Sequence, residues 1–347
     1  MSVLSNVPVG IGESVSLAEA VANYKVVYHK FYEDYLYKYS AMKELYNLRY
    51  EGANNGTQFT AAESWTGSGV AHETGEGDDP WAGDIAPGYA KLVTVYQRTY
   101  SIALTWFLQY HNKYPDQESK LIRDAAIATA QRLEADMSAP FTYCTSTAYT
   151  NIDGRSVDVS SGDSVALASA SHTLTNSASL CRNRIANGPQ LSEGAVEIGE
   201  NLGTQGFLDN NGQPLMTTFD LIVTASDKTT YNTALKLVKS KAPVDAPNGN
   251  VHAPYFGAKL VRQAFFIDRT FTVGGKAFTF DSTKAKQWMM FDSSNSGLYL
   301  FVTQSPTVMP PQTAQLNFNK TWMSSAVYEP CVVDWRCCVI STADGNG

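Results

Sequence analysis

Charge is scarce in this chain. Only 17% of its 347 residues are Asp, Glu, Lys or Arg, against about 25% in an ordinary soluble domain. Ser, Thr, Asn, Gln, Gly and Tyr take up the difference, not Ile, Leu and Val. Such a surface suits a protein that sets much of its exterior against other protein, or a secreted one. No basic start followed by an apolar run opens the sequence, so no secretory signal is expected. The longest charge-free stretch, residues 293–319, holds three prolines and many Ser, Thr and Gln residues. It cannot serve as a membrane span, which needs about 20 mostly apolar residues. No C-x-x-C spacing occurs among the five cysteines at 144, 181, 331, 337 and 338. Buried, reduced thiols are expected rather than a zinc site, as in a chain assembled in a reducing cytoplasm.

The templates of catalysis are absent too. There is no G-x-G-x-x-G, G-x-x-x-x-G-K-[ST], H-E-x-x-H or G-x-S-x-G. The five histidines lie far apart, and His72-Glu73 lacks a second His. Asp78-Asp79 could be read as the paired carboxylates of a glycosidase. Adjacent acids on a glycine-rich loop lack the apolar pocket that raises one pKa, so a solvated turn is the better reading. Asp209-Asn210-Asn211-Gly212 starts like a calcium loop but has no bidentate Glu downstream. No catalytic residue, cofactor or metal ligand set is expected. No block of Lys and Arg suggests a nucleic-acid groove.

What is present begins with 44% hydrophobic and 12% aromatic residues, which excludes a disordered chain. The length suits two or three domains, or one elaborated domain. The formal charge of −7 has an address. Residues 51–90 carry Glu51, Glu63, Glu73, Glu76, Asp78, Asp79 and Asp84 with no Lys or Arg, while the remainder is neutral.

Along the chain, residues 17 to about 50 read as helix, in one or two pieces, with Ser16 and Glu19 forming a capping box. Eight of the 19 tyrosines fall here, and Tyr24, Tyr28, Tyr32 and Tyr35 share one helical face. That face either packs on the chain's own core or lies over a neighbouring subunit. Residues 51–88, rich in glycine and acid, with Trp65 and Trp81, read as an extended hairpin that returns as strand over 89–110. The strongest helix runs from an Asp116 cap to a stop at Pro140. Ile122, Ala126, Thr129, Leu133 and Met137 form its stripe, and its other side is expected to stay polar. At ~1.5 Å per residue it is a rod of roughly 32 Å. A short helix capped by Ser192 points Ala195, Ile198 and Leu202 inward. A strand at 219–224, a helix at 227–240 and a series of strands from 265 to 340 complete an α+β chain.

The order of these parts resembles the major capsid protein of tailed bacteriophages, with the Hong Kong 97 capsid fold. Local sequence is similar to the Mu-like major head subunit group. The segment 166–174 resembles that group's F-S-x-x-H stretch, with Ala168 where the Phe would stand and His172 in place. Residues 191–195 followed by Asp209 to Leu215 look like its helix and D-x-x-G-x-P-L turn. Trp288 to Phe291 and Asp334-Trp335-Arg336 resemble its late W-F-L and D-W-R strands. The likeness covers roughly residues 55–345 and departs from the pattern over 243–286.

The resemblance implies an N-terminal arm (1–50), an extended hairpin (51–100) and a peripheral domain (101–149) with its spine helix over about 116–138. An axial domain (150–305) and late strands returning to the peripheral domain (306–347) follow. It implies self-assembly into pentamers and hexamers that form an icosahedral shell around double-stranded DNA, bound without sequence specificity. Portal protein and a separate scaffolding protein are the implied partners, a decoration protein is left open, and no membrane is involved. The virion, assembled in the bacterial cytoplasm, is the implied location. Intersubunit contacts are expected from Trp65, Glu73, Glu76, Asp78, Asp79, Trp81, Asp84 and the arm tyrosines. Lys120 and Arg123 of the spine helix, or the arm, are expected to receive the acidic hairpin. Some relatives weld a hairpin Lys to a neighbour's Asn; with no Lys in 51–90, no such bond is expected here. With no long segment before the arm, scaffolding is expected from a separate protein or none. A tail or baseplate component and a carbohydrate-active enzyme are the rival readings.

Overall fold

A computed structural model describes residues 17–52, 56–62, 79, 88–105, 117–239, 261–269, 271–273, 276–278, 282–310, 312–313 and 319–345. Helix α1 (Leu17–Tyr39) precedes β1 (Asn47–Tyr50), β2 (Gln58–Ala62) and β3 (Ala90–Thr94). Strand β4 (Tyr96–Leu104) and helix α2 (Gln117–Thr142) follow. The middle holds β5 (Ala148–Thr150), β6 (Ser156–Asp158), α3 (Glu193–Asn201), β7 (Leu221–Thr224) and α4 (Lys228–Lys239). The remainder is strand: β8 (Val261–Gln263), β9 (Phe271–Val273), β10 (Lys276–Phe278), β11 (Trp288–Phe291), β12 (Leu298–Val308), β13 (Gln312–Thr313), β14 (Lys320–Val332) and β15 (Cys338–Ser341). No helix among the described residues is long and apolar enough to cross a membrane.

The chain divides into two compact units. One comprises residues 1–38, 97–131 and 304–327. Within it β4 and β13 both pair with β14, and β13 sets Gln312 opposite Thr321. Helix α1 turns Tyr28, Tyr32 and Leu36 inward at a spacing of four, so one face is buried within its own chain. The Tyr28 and Tyr32 rings stack 6.3 Å apart, and Tyr24 meets Trp322 edge-on at 4.7 Å. The first half of α2 contributes Ile122, Ala125, Ala126 and Ala130, all buried, with Thr129 sharing a 3.1 Å hydrogen bond with Ser324.

The other unit comprises residues 39–96, 132–303 and 328–347. Its sheet has the order β15-β11-β7-β8, and β11 is antiparallel to both neighbours. Every residue of β7, β11 and β15 is buried, as expected of strands covered on both faces. Helix α3 lies so close to this sheet that a side chain at Gly199 would meet Met290 Sδ at 2.7 Å. Helix α4 sets Thr230, Ala234 and Val238 inward. Hairpins β5–β6 and β9–β10 and the pair β2–β3 complete the unit.

The structure corrects four details of the sequence reading. The first helix ends at Tyr39, and residues 47–50 are strand, pairing parallel with 299–302. The chain turns between them because Ser40 Oγ accepts from Lys43 N and Met42 O from Leu45 N. Helix α2 passes Pro140 and stops two residues later, within the spread expected of helix ends. Its far side does not stay polar and wet, since residues 133–142 are all buried. Buried polar groups there are each matched. Asp136 takes Arg132 Nε at 3.0 Å and the Tyr328 hydroxyl at 3.2 Å, and Glu134 accepts from Ala41 N at 2.8 Å and Met42 N at 3.2 Å. In α3 the inward residues include Val196 and Gly199, whereas Ile198 is 49% exposed.

Glu134 therefore ties the turn after α1 to α2. Burial pushes its carboxyl above the usual carboxylate range, against the pull of its three donors. Glu134→Ala leaves the Ala41 and Met42 N–H groups without their acceptor. A loss of about 2 kcal/mol is expected, read as a lower urea midpoint with unchanged slope.

Candidate functional site

His172 is wholly buried, and so is the side chain it faces. Its Nδ1 lies 2.8 Å from Asp163 Oδ2, and its Nε2 lies 3.1 Å from Asn183 Oδ1. The imidazole stacks on Trp335 with centroids 4.2 Å apart and planes within 7°. Asn183 then donates from Nδ2 to Leu167 O at 2.8 Å and to Trp335 O at 3.2 Å. The next residue, Arg336, is 3% exposed and sends Nε to Leu208 O (3.0 Å) and Nη2 to Asn210 Oδ1 (2.7 Å). Its Nη1 lies 3.3 Å from Asp334 Oδ2. The rigid guanidinium fork suits this task, since several fixed acceptors are met at once.

Three motifs distant in sequence thus meet in one polar knot: the segment with His172, the Asp209 to Leu215 turn, and Asp334-Trp335-Arg336. The turn is no cation loop. Asp209 Oδ1 is spent on Asn211 N (2.9 Å) and Gln213 N (2.7 Å), and Gly212 takes a φ of +81° that favours glycine.

Asp163 is the carboxylate that faces His172. Burial pushes its carboxyl up, but the hydrogen bond and charge of His172, with donors at Ser161 and Val165, outweigh that and hold it below its ordinary value. A carboxyl depressed in the folded state stabilises fully above its unfolded value near 4. That stabilisation is lost as pH falls through the folded value. Asp163→Asn is expected to cost about 2 kcal/mol at pH 7 and progressively less towards pH 2. Urea midpoints of both proteins across that range check the sign.

Nothing in the knot suggests turnover. Its His172 and Asp163 side chains are closed to solvent, and one buried group, Asn210 Nδ2, has no hydrogen-bond partner. Among the described residues, no group of three or more His, Cys, Asp or Glu could hold a metal ion. All five cysteines are free and buried. Burial pushes Cys144 to about 11 and Cys331 to about 12, so both are thiols rather than nucleophilic thiolates at neutral pH. A cleft of about 450 Å³ beside β1 includes Leu48, Met216, Asp334 and Arg336 in its wall, and the last two spend charge on each other.

The surfaces that face outward lie elsewhere. Strands β2 and β3 pair antiparallel over five residues, Gln58 opposite Thr94 to Ala62 opposite Ala90. The acidic segment 63–87 connects these two paired strands. Phe59, Ala61 and Val93 face inward, Phe59 stacking on Phe301 at 5.8 Å, whereas Leu92 is 63% exposed. Lys91 is held by Ser160 O at 2.6 Å and Asp158 at 3.1 Å. Arg155 lies 3.6 Å over the Tyr96 ring and donates to both carboxylate oxygens of Glu329. No sequence pattern singled out Arg155 or Glu329, whose partners are remote in the chain.

Of the expected contact residues, Trp65, Glu73, Glu76, Asp78, Trp81 and Asp84 lie outside the described residues, as does the cap Asp116. Asp79 is exposed. Tyr28 and Tyr32 are covered by their own chain, and Tyr24 and Tyr35 are half-buried. Of the alternatives, the Tyr28–Tyr32 face therefore packs on the chain's own core. The helix offers outward Tyr37 instead, 93% exposed. On α2, Ile122, Ala126, Leu133 and Met137 are buried, while Lys120 and Arg123 are exposed. Arg123 already lies 3.6 Å from Asp124.

No family model matches this sequence, and no curated protein matches it. Solved structures do. A phage-related protein from Bordetella bronchiseptica RB50 is 8% identical with a TM-score of 0.53, covering 92% of this chain and 97% of that one. The mature capsid of bacteriophage PhiM1 is 12% identical with a TM-score of 0.50, covering 87% and 86%. The chain has the α+β Hong Kong 97-like fold of phage capsid proteins.

Proposed function

We propose that this chain is the major capsid protein of a tailed phage, nearest to the Mu-like head subunits. It builds pentamers and hexamers of an icosahedral head around double-stranded DNA, with portal and scaffolding proteins as partners. The observation that carries this reading is the capsid-like fold extending over 87% of the chain. The proposed role is structural rather than enzymatic. Negative-stain microscopy and sedimentation of the expressed chain test it. Closed shells or capsomers are expected; tubes would point to a tail component, and monomers with hydrolytic activity would overturn it.

The join between subunits is proposed to be noncovalent. Residues 51–90 have no Lys, and the next one, Lys91, is 12% exposed and engaged by Asp158. Boiled particles should run on denaturing gels as one band near 37.8 kDa. A ladder of oligomers would refute that.

A further inference from the structure

The neutrality of residues 91–347 conceals a basic stretch. Residues 228–286 hold ten Lys and Arg against three acids (Asp245, Asp268 and Asp281), a local charge of +7. Residues 51–90 carry −7. Acids elsewhere in 91–347 cancel this excess in the sum.

The structure gives the stretch a face. Every charged residue of α4 is a lysine. Lys228, Asn232, Lys236 and Lys239 recur at spacings of four, four and three, so they share one side of the helix, and all four are exposed. Its opposite side is buried. Asp227 N donates to Ala285 O at 3.0 Å, which brings the exposed Lys286 beside the start of the helix. Two acids lie nearby, and Asp268 keeps one buried oxygen, Oδ1, without a partner. Asp227 caps the helix, accepting from Thr230 N at 2.8 Å and Thr230 Oγ1 at 2.7 Å, and Asp268 accepts from the Ser226 hydroxyl. Lys228 donates to Gln263 at 2.9 Å. Among the described residues, Lys236 and Lys239 pair with no carboxylate.

We propose that this lysine face of α4 is the seat for the acidic segment 63–87 of a second copy. Charge complementarity and length argue for it. From residue 228 to 239 the face runs about 16 Å at 1.5 Å per residue. Glu73, Glu76, Asp78 and Asp79 fall within seven residues, which reach at most about 25 Å when extended. The four carboxylates can therefore span the three lysines of the face. Identical copies bring one acidic segment for every lysine face, which no other partner guarantees. The inference rests on the shell reading and names a receiving surface other than Lys120, Arg123 or the arm.

The test is a charge swap in trans. Full-length chain with Lys236→Glu and Lys239→Glu, and separately chain with Glu73→Lys and Glu76→Lys, should each assemble about tenfold less well at 0.05 M salt. The deficit should shrink towards 1 M, where the screening length is about 3 Å. Mixing the two variants should restore assembly, because each then meets a matched neighbour. Failure of the mixture to restore it, with both chains melting like wild type, overturns the proposal and points to pairing within one copy. Normal shells of the lysine variant that hold less DNA also overturn it, in favour of a nucleic-acid surface. If the wild type forms no shells, the capsid reading fails separately. Binding of a labelled 63–87 peptide to the unassembled full-length chain still tests the seat. About tenfold weaker binding to the lysine variant is expected, and equal binding is not compatible with it.

Discussion

Trp335→Ala should cost about 4 kcal/mol, within the 3–5 kcal/mol range for large aromatic truncations in a core. The side chain is 1% exposed and fills the centre of the polar knot. His172 stacks on one face at 4.2 Å, and Phe207 meets it nearly at right angles at 5.3 Å. The Arg336 guanidinium lies 5.0 Å from its ring centroid. Truncation removes these contacts together and leaves a void beside buried polar groups that cannot collapse into it without breaking hydrogen bonds. Against a typical stability of 5–15 kcal/mol, such a loss is enough to deplete folded protein at growth temperature. Trp335→Phe keeps a ring against His172 and should cost less than half as much. Urea unfolding of the unassembled chain measures both. If the two variants unfold alike, the stacking account of the knot is wrong.

The knot was legible in the sequence only as fragments. The segment with His172, the Asp209 turn and Asp334-Trp335-Arg336 each stood out weakly, and nothing local says that His172 meets a ring 163 positions later. Helix α2 was legible because apolar residues recur at its period, and Ile122, Ala126, Leu133 and Met137 are buried as read. Its all-buried second half was not, because Glu134, Asp136 and Ser138 look like a wet face until their partners are known. The end of α1 was misread for a related reason. Tyrosine spacing continues through Tyr46 and Tyr50, but the parallel pairing with 299–302 decides the conformation there. The strand after the glycine- and acid-rich stretch was legible from its alternation, whereas β2 was not singled out. The lysine face of α4 was hidden by averaging charge over too long a segment.

Gly297→Ala should be at least as damaging as the loss of a core side chain, although it adds one methyl group. An ideal Cβ at Gly297 would lie 2.4 Å from both Asp334 O and Asp334 Cβ, and 2.8 Å from Asp334 Cα. Two of those atoms are backbone, so no rotamer change relieves the clash. The approach is close because Gly297 O accepts from Val333 N at 2.9 Å and from Asp334 N at 3.3 Å. Making room for a methyl group separates those strands and moves Asp334, whose neighbours Trp335 and Arg336 hold the knot. Overpacking commonly costs 1–3 kcal/mol, and the lost hydrogen bonds add about 1 kcal/mol each, so a total of about 4 kcal/mol is expected. Gly194 supplies the control. It sits in the first turn of α3 with no atom within 4 Å of an added Cβ. Gly194→Ala should stabilise by roughly 0.5 kcal/mol through helix propensity alone. Melting both variants beside the wild type should move the transition in opposite directions. A Gly297→Ala protein as stable as wild type would mean that the strand end at 297 and the segment at 334 are not held as closely as the hydrogen bonds require.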